Sequence, residues 1–189
     1  MASDRLTSYL TPMRIATKTG DTHSTWLMYN RRVPKHHPRV ETYATVDELN
    51  AALGLARATA TDEMVRGNLL WLQKSLVDVM GELAVLPEDL ARYAGDGYTL
   101  VTPAMTAKLD ALVQEIEAQN ISFKGWATPG ANVNSAALDV ARTVCRRAER
   151  RGCALQETGE LQNPEIIIYL NRFSDLLWLL SRWVESQPE

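Results

Sequence analysis

Cysteine is scarce in this sequence: there are two, Cys145 and Cys153. On a single helix they would stand eight residues apart, roughly 12 Å along the axis, which is too far for a disulfide. No cysteine–histidine spacing fits a zinc site. The N-terminal stretch MASDRLTSYLTPMR has no apolar run of the signal-peptide type, and no segment approaches the length of a membrane span. A soluble protein of a reducing compartment, the cytoplasm, is therefore expected. A positive excess is lacking as well. Lys and Arg total 20 against 23 Asp and Glu, for a formal charge of -3 and a pI near 5.7, which argues against a general nucleic-acid binder. Internal repeats and low-complexity tracts are absent. With 23% charged and 46% hydrophobic residues, the 189-residue chain is not a disordered one and has enough apolar mass for one domain with one core.

Strand signals are also weak. The β-branched run Glu165–Tyr169 continues a helical period. What is present is helix. Val40, Tyr43, Leu49, Ala52, Leu53 and Ala56 predict a first helix over Arg39–Ala58. The stripe Val65, Leu69, Leu72, Leu76, Val79, Leu83, Leu86 predicts a second over Asp62–Leu86, ended by Pro87. PEDLARYAGDGYTLVTP reads as a loop. Thr102-Pro103 reads as the cap and start of a third helix, carried by Leu109, Leu112 and Ile116 toward Asn120. A fourth begins at Asn132 or Val133. Asn163-Pro164 opens a fifth, with Ile166, Tyr169, Leu170, Phe173, Leu177, Leu180 and Val184 facing inward. The expected fold is all-α, an up-and-down bundle of five helices over residues 39–185, preceded by an irregular N-terminal segment, residues 1–38.

The fourth helix carries ARTVCRRAERR, with Arg142, Arg146, Arg147, Arg150 and Arg151. Arg142, Arg146, Glu149, Arg150 and Cys153 share one stripe. The apolar stripe is Ala137, Val140, Ala141, Val144 and Ala148, mostly small residues that let neighbouring helices approach closely. Two readings of the arginines are open: a salt-bridged surface, or recognition of a polyanion by planar, permanently charged forks. Asn171, Ser174, Asp175 and Arg182 fall on the non-apolar side of the fifth helix. Asp47 and Glu48 sit on the first, where Asp47 borders the buried stripe and an arginine of the fourth helix is a natural partner. The stretch TKTGDTHSTWL, with Lys18 before Gly20, and then Arg32 and Lys35, could cradle phosphates with backbone N–H groups and lysines. It is not a Walker A loop, because GxxxxGK[ST] is absent.

TKTGD, RRVPK, RVETYATVDELNAALGLA, PGAN, ARTVCRRAERR and YLNRFSDLLWLL occur in this order. Their order and spacing resemble the PduO-type ATP:cob(I)alamin adenosyltransferases from about Arg14 to Trp183. The resemblance implies a five-helix bundle, a homotrimer with sites between subunits, and transfer of the 5'-deoxyadenosyl group of ATP to cob(I)alamin with release of triphosphate. It implies ATP contacts at Thr17, Lys18, Thr19, Gly20, Thr25, Lys35, Arg146, Arg150 and Asn171, with Glu149 holding the site. Arg142 would support the cluster one turn earlier, and Asp47 would pair with Arg146 across a subunit boundary. Mg²⁺ would accompany the phosphates, with no protein ligands assigned. Trp126 stands where the family has a phenylalanine three residues before the PG, the aromatic that expels the lower cobalt ligand. A loop tryptophan packed on the bundle is the plain alternative. No Ser-His-Asp or Cys-His set is needed, since cobalt(I) is the nucleophile. Handing the product to an adenosylcobalamin-dependent enzyme is a further implied step.

Several of the family's glycines are replaced: His23, Tyr29, Asn30, Ala44 and Ala131 stand at their positions. Glycine serves where φ is positive or a ligand presses on the backbone. The changes motivate a second reading, a cobalamin- or ATP-binding module without efficient chemistry. A third is a structural trimer whose arginines only form salt bridges.

Overall fold

The computed structural model describes residues 16, 18–119, 121 and 126–187. Five long helices form the body: α1 (Pro38–Thr59), α2 (Glu63–Leu83), α4 (Pro103–Glu117), α5 (Val133–Glu157) and α6 (Glu165–Ser186). Between α2 and α4 lies a short helix, α3 (Leu90–Gly95), entered through a 3-10 turn at Pro87–Asp89. The helices start where the caps predict. The Asp62 carboxylate accepts from Val65 N, Asn132 and Ser135 form a reciprocal capping box, and the Asn163 amide oxygen accepts from Glu165 N. Two helix ends fall short of expectation: α2 stops at Leu83, not Leu86, and α4 at Glu117, not Asn120.

Helix pairs pack in the order α2, α1, α5, α6, α4. Cross-helix bonds fix their directions. Glu41 with Arg151 and Asn134 with Ala56 make α1 and α5 antiparallel. Asp139 with Arg182 and Cys145 with Leu170 do the same for α5 and α6. Thr106 with Glu165 and Trp183 with Gln119 make α4 parallel to α6. The chain therefore runs up and down through its five long helices.

Leucines of α1 and α2 (Leu49, Leu53, Leu69, Leu72, Leu76) meet Leu138 of α5 and Phe173 and Leu177 of α6 in one core. On α5 the inward stripe is Ala137, Ala141, Cys145, Ala148 and Gly152. A Cβ on Gly152 would come within 3.4 Å of Ile167, so the small residues do bring α6 close. Val140, expected in that stripe, is instead 53% exposed, because Leu138 and Cys145 take the inward positions. Two expectations for α6 are also corrected. Ser174 and Arg182 are buried, and Arg182 is accommodated there by ion pairs to Asp139 at 2.7 Å and Glu185 at 3.1 Å.

The N-terminal segment is more regular than expected. β1 (Ser24–Leu27) and β2 (Arg31–Pro34) pair antiparallel, Leu27 opposite Arg31. The hairpin sits at the end of the bundle where α1 begins and α2 finishes, with Met28 N donating to Ala84 O at 3.0 Å.

Candidate functional site

The candidate residues fall into two groups at the same end of the molecule. The first is the hairpin. Lys18 and Lys35 are exposed on it. A Cβ at Gly20 would meet Lys35 Nζ at 3.0 Å, so the glycine leaves room for the ammonium against the segment's backbone. Lys35 N donates to His23 O at 3.0 Å and closes the loop between them. Thr25 is half-buried and its hydroxyl is hydrogen-bonded to Tyr43 of α1, whose phenol is raised above its usual range chiefly by burial. Arg32 donates to Ser24 and Thr22, each at 2.8 Å, and lies over the Trp26 ring. Thr19 lies beside Gly20 in the same turn. Thr17 lies outside the described residues.

The second group is on α5 and α6, and here the five arginines divide. Arg147 and Arg151 reach across to α1, to Glu48 and Glu41. Arg142 binds Asp139 at 3.0 Å. The other stripe is looser. Glu149 accepts from the Asn171 amide at 2.9 Å, but its second oxygen, which has no hydrogen-bond partner among the described residues, stands 3.6 Å from Arg146. That distance is too long for a hydrogen bond, so Arg146 can turn to another anion. Arg150 has no ion pair among the described residues, and neither do Lys18 and Lys35. Because α5 runs antiparallel to α1, the half of α5 bearing Arg146 and Arg150 points toward the hairpin's end of the bundle. Within the chain no hydrogen bond or ion pair among the described residues joins the two groups.

Asp47 is exposed on α1. No arginine pairs with it within the chain among the described residues; its neighbours Glu48 and Glu41 hold α5 instead. Trp126 does not pack on the bundle: it is 90% exposed. It precedes Pro129, Gly130 and the exposed Ala131, where Gly130 has φ 108°. Pro129 and Gly130 border a groove of about 250 Å³ with Ala136, Val140, Arg142 and Thr143.

Three of the five replaced glycine positions keep a glycine-like backbone, while Ala44 is helical within α1. His23, Tyr29 and Asn30 have φ of 59°, 59° and 58°, in the left-handed region. Sequence reasoning missed the residues that fix this hairpin from outside, Asp89, Arg92 and Asp96, and the hairpin's own Arg31 that meets Asp89. Nothing in their spacing signals the role, since α3 reads as loop. Burial pushes the Cys145 thiol well up and the Tyr169 phenol to about 12. Among the described residues no group of three or more His, Cys, Asp or Glu could hold a metal ion, and no helix is long and apolar enough to cross a membrane.

Comparison with known proteins gives a consistent result. The family model described as cobalamin adenosyltransferase matches residues 15–184. A cobalamin adenosyltransferase of Cupriavidus metallidurans is 39% identical over 173 residues, covering 89% of this chain and 86% of that protein. The corrinoid adenosyltransferase PduO of Salmonella typhimurium is 36% identical over 178 residues, 92% of this chain. This chain spans only 50% of that longer relative. A solved structure of a variant PduO-type ATP:corrinoid adenosyltransferase from Lactobacillus reuteri, complexed with cobalamin and ATP, aligns with a TM-score of 0.80 at 30% identity, over 91% of this chain and 93% of that one.

Proposed function

The chain belongs to the cobalamin adenosyltransferase family, and from that premise we propose that it transfers the 5'-deoxyadenosyl group of ATP to cob(I)alamin, giving adenosylcobalamin and triphosphate. The observation that carries the reading is a set of cations at one end of the bundle: Lys18, Lys35 and Arg150, with no ion pair among the described residues, and Arg146, held only loosely by Glu149 at 3.6 Å. A tetra-anionic nucleotide is the ligand such a set suits.

In the proposed reaction the electron pair of cobalt(I) attacks C5' of ATP, the C5'–O bond breaks, and its electrons leave with triphosphate. Cobalt ends as cobalt(III) bonded to carbon. No side chain need gain or lose a proton. The protein's tasks are to hold the two substrates in line and to neutralise the departing chain. Lys18, Lys35, Arg146 and Arg150 serve the phosphates. Thr19, Gly20, Thr25 and Asn171 complete the nucleotide's seat, as would Thr17. Glu149 orients Arg146 and Asn171, and Arg142 supports them from one turn earlier. The carboxylate in this seat, Glu149, is engaged with Asn171 and Arg146, and no protein ligand is assigned to a divalent ion. Mg²⁺ would arrive on the phosphate oxygens, and no step is assigned to it.

A homotrimer with sites between subunits also belongs to this proposal. Asp47 pairs with no arginine of its own chain among the described residues, which supports it, since an arginine of another subunit, Arg146 in the family pattern, is then its natural counterpart. Val140 and Val133, exposed at 53% and 72% on α5, support it too. Trp126 is assigned in this proposal to the lower face of the corrin, a role its exposure leaves open to it. The reading as a binding module without chemistry is weakened by the backbone at His23, Tyr29 and Asn30, which keeps the glycine conformation.

The test is an anaerobic assay with ATP, Mg²⁺ and chemically reduced cob(I)alamin, following the corrin spectrum. Adenosylcobalamin should form with wild type, and the rate should fall at least about a hundredfold in Arg146→Ala, as for loss of a group that stabilises developing charge. Bound corrinoid that is never converted would favour the binding module.

A further inference from the structure

The hairpin that carries Lys18 to Lys35 has a fastening separate from the residues already assigned. A two-stranded hairpin on its own is marginal in water. This one has a single backbone bond to the bundle among the described residues, Met28 N to Ala84 O. Thr25 adds a side-chain bond to Tyr43 of α1, and further side-chain ties run to α3 and the turn before it. Arg31 makes a two-pronged contact with Asp89, Nε to Oδ2 at 2.7 Å and Nη2 to Oδ1 at 2.8 Å. The Asp89 carboxylate is 10% exposed, and its bond from Arg31 holds it below the usual carboxylate range. Tyr29 donates its hydroxyl to Asp96 at 3.0 Å, and the Arg92 guanidinium lies 4.2 Å over its ring. Arg92 also reaches Asp96 at 3.6 Å.

The α3 side of these contacts is itself fixed. Tyr93 is 3% exposed, with its hydroxyl set against Gly81, where a Cβ would stand 2.4 Å away. Tyr98 stacks on Tyr93 with ring centres 4.7 Å apart. Tyr29 occupies a left-handed position, φ 59° and ψ 30°, that costs any residue but glycine. The side chain there offsets the cost by joining two elements, which a glycine could not do.

We propose that α3 and its preceding turn form a clamp that holds the hairpin in its ATP-receiving shape, with Tyr29 and Arg31 as positioning residues for the nucleotide. This rests on the reading above that the hairpin receives ATP. The clamp acts on the fraction of molecules whose hairpin is competent. Releasing it weakens apparent ATP affinity by the inverse of that fraction and leaves turnover at saturating ATP unchanged.

The experiment measures ATP–Mg²⁺ affinity without corrinoid, and then KM for ATP and kcat with cob(I)alamin, in wild type, Asp89→Asn and Tyr29→Gly. A hairpin competent about one time in ten predicts Kd and KM for ATP raised about tenfold with kcat kept. Hydrogen exchange at the Met28 and Lys35 amides should quicken, while helical circular dichroism stays the same. Reversing the pair, Arg31→Asp with Asp89→Arg, should recover part of the affinity lost in Asp89→Asn. Should Asp89→Asn unfold the bundle, Tyr29→Gly carries the test, since glycine suits that backbone. Wild-type ATP binding with unchanged affinity in the variants overturns the clamp alone. If wild type binds no ATP, the nucleotide reading itself falls and the clamp's role falls with it.

Discussion

At the scale of single residues, the most informative positions are those where the family pattern and this chain disagree. His23 and Tyr29 both adopt a backbone that favours glycine, yet they differ in what they gain from it. Tyr29 is tied to Arg92 and Asp96, whereas His23 is exposed and contributes its carbonyl to Lys35 N. His23→Gly should therefore stabilise the hairpin by about 1 kcal/mol through relief of the left-handed cost, seen as slower hydrogen exchange at the Lys35 amide. Faster exchange would mean the imidazole holds the loop in some further way. The sequence alone shows that glycines are missing at these positions. It does not show that the turn survives, because that depends on contacts with α3, about 60 residues away in sequence. The arginines were legible as a group by their number. Their division into a tied pair, Arg147 and Arg151, and a looser stripe, Arg146 and Arg150, depends on which α1 carboxylates they meet.

At the scale of elements, apolar periodicity placed all five long helices, and Pro103, Asn132 and Asn163 marked where three of them start. The missed elements are those with no period to read. Each strand is four residues long, and its turn lacks the Asn-Gly or Asp-Gly signal because Tyr29 and Asn30 fill the left-handed positions. Helix α3 has six residues, too few for an apolar stripe, and owes its place to Tyr93 against Gly81. Ser174 and Arg182 fall on the non-apolar side of α6 by helical position, but Arg182 is buried because the buried Asp139 and the part-buried Glu185 pair with it.

The joint between these elements is polar. Glu82 of α2 accepts from Val101 N at 2.7 Å and from the Asn163 amide at 2.9 Å, linking α2 to the segments that lead into α4 and α6. Burial raises its pKa above the ordinary 4.5, and the two hydrogen bonds oppose the shift. A carboxyl with a raised folded pKa contributes stability that is complete below its unfolded pKa and lost as pH rises through the folded one. The stability of wild type relative to Glu82→Gln should accordingly be greatest in acid and decline as pH climbs above 4.5. Urea unfolding of both proteins across that range checks this. A difference that instead grows with pH would mean that the hydrogen bonds to the carboxylate outweigh its burial.

At the scale of the whole molecule, the up-and-down order of the long helices brings the basic half of α5 to the same end as the hairpin. One polar end thus carries the cations proposed to bind the nucleotide, Lys18, Lys35, Arg146 and Arg150. The sequence conveyed this through motif order, but the proposed closing of the site by a second subunit rests on residues such as Asp47, which pairs with no arginine of its chain among the described residues. The family assignment and the proposed chemistry make a specific claim about which bond of ATP breaks. ATP labelled separately in the adenosine and in the γ-phosphate, incubated anaerobically with cob(I)alamin and the protein, tests it directly. The account predicts that the adenosine label enters the corrinoid one for one with intact triphosphate carrying the γ label. Release of the γ label as orthophosphate with ADP, and an unlabelled corrinoid, would contradict it.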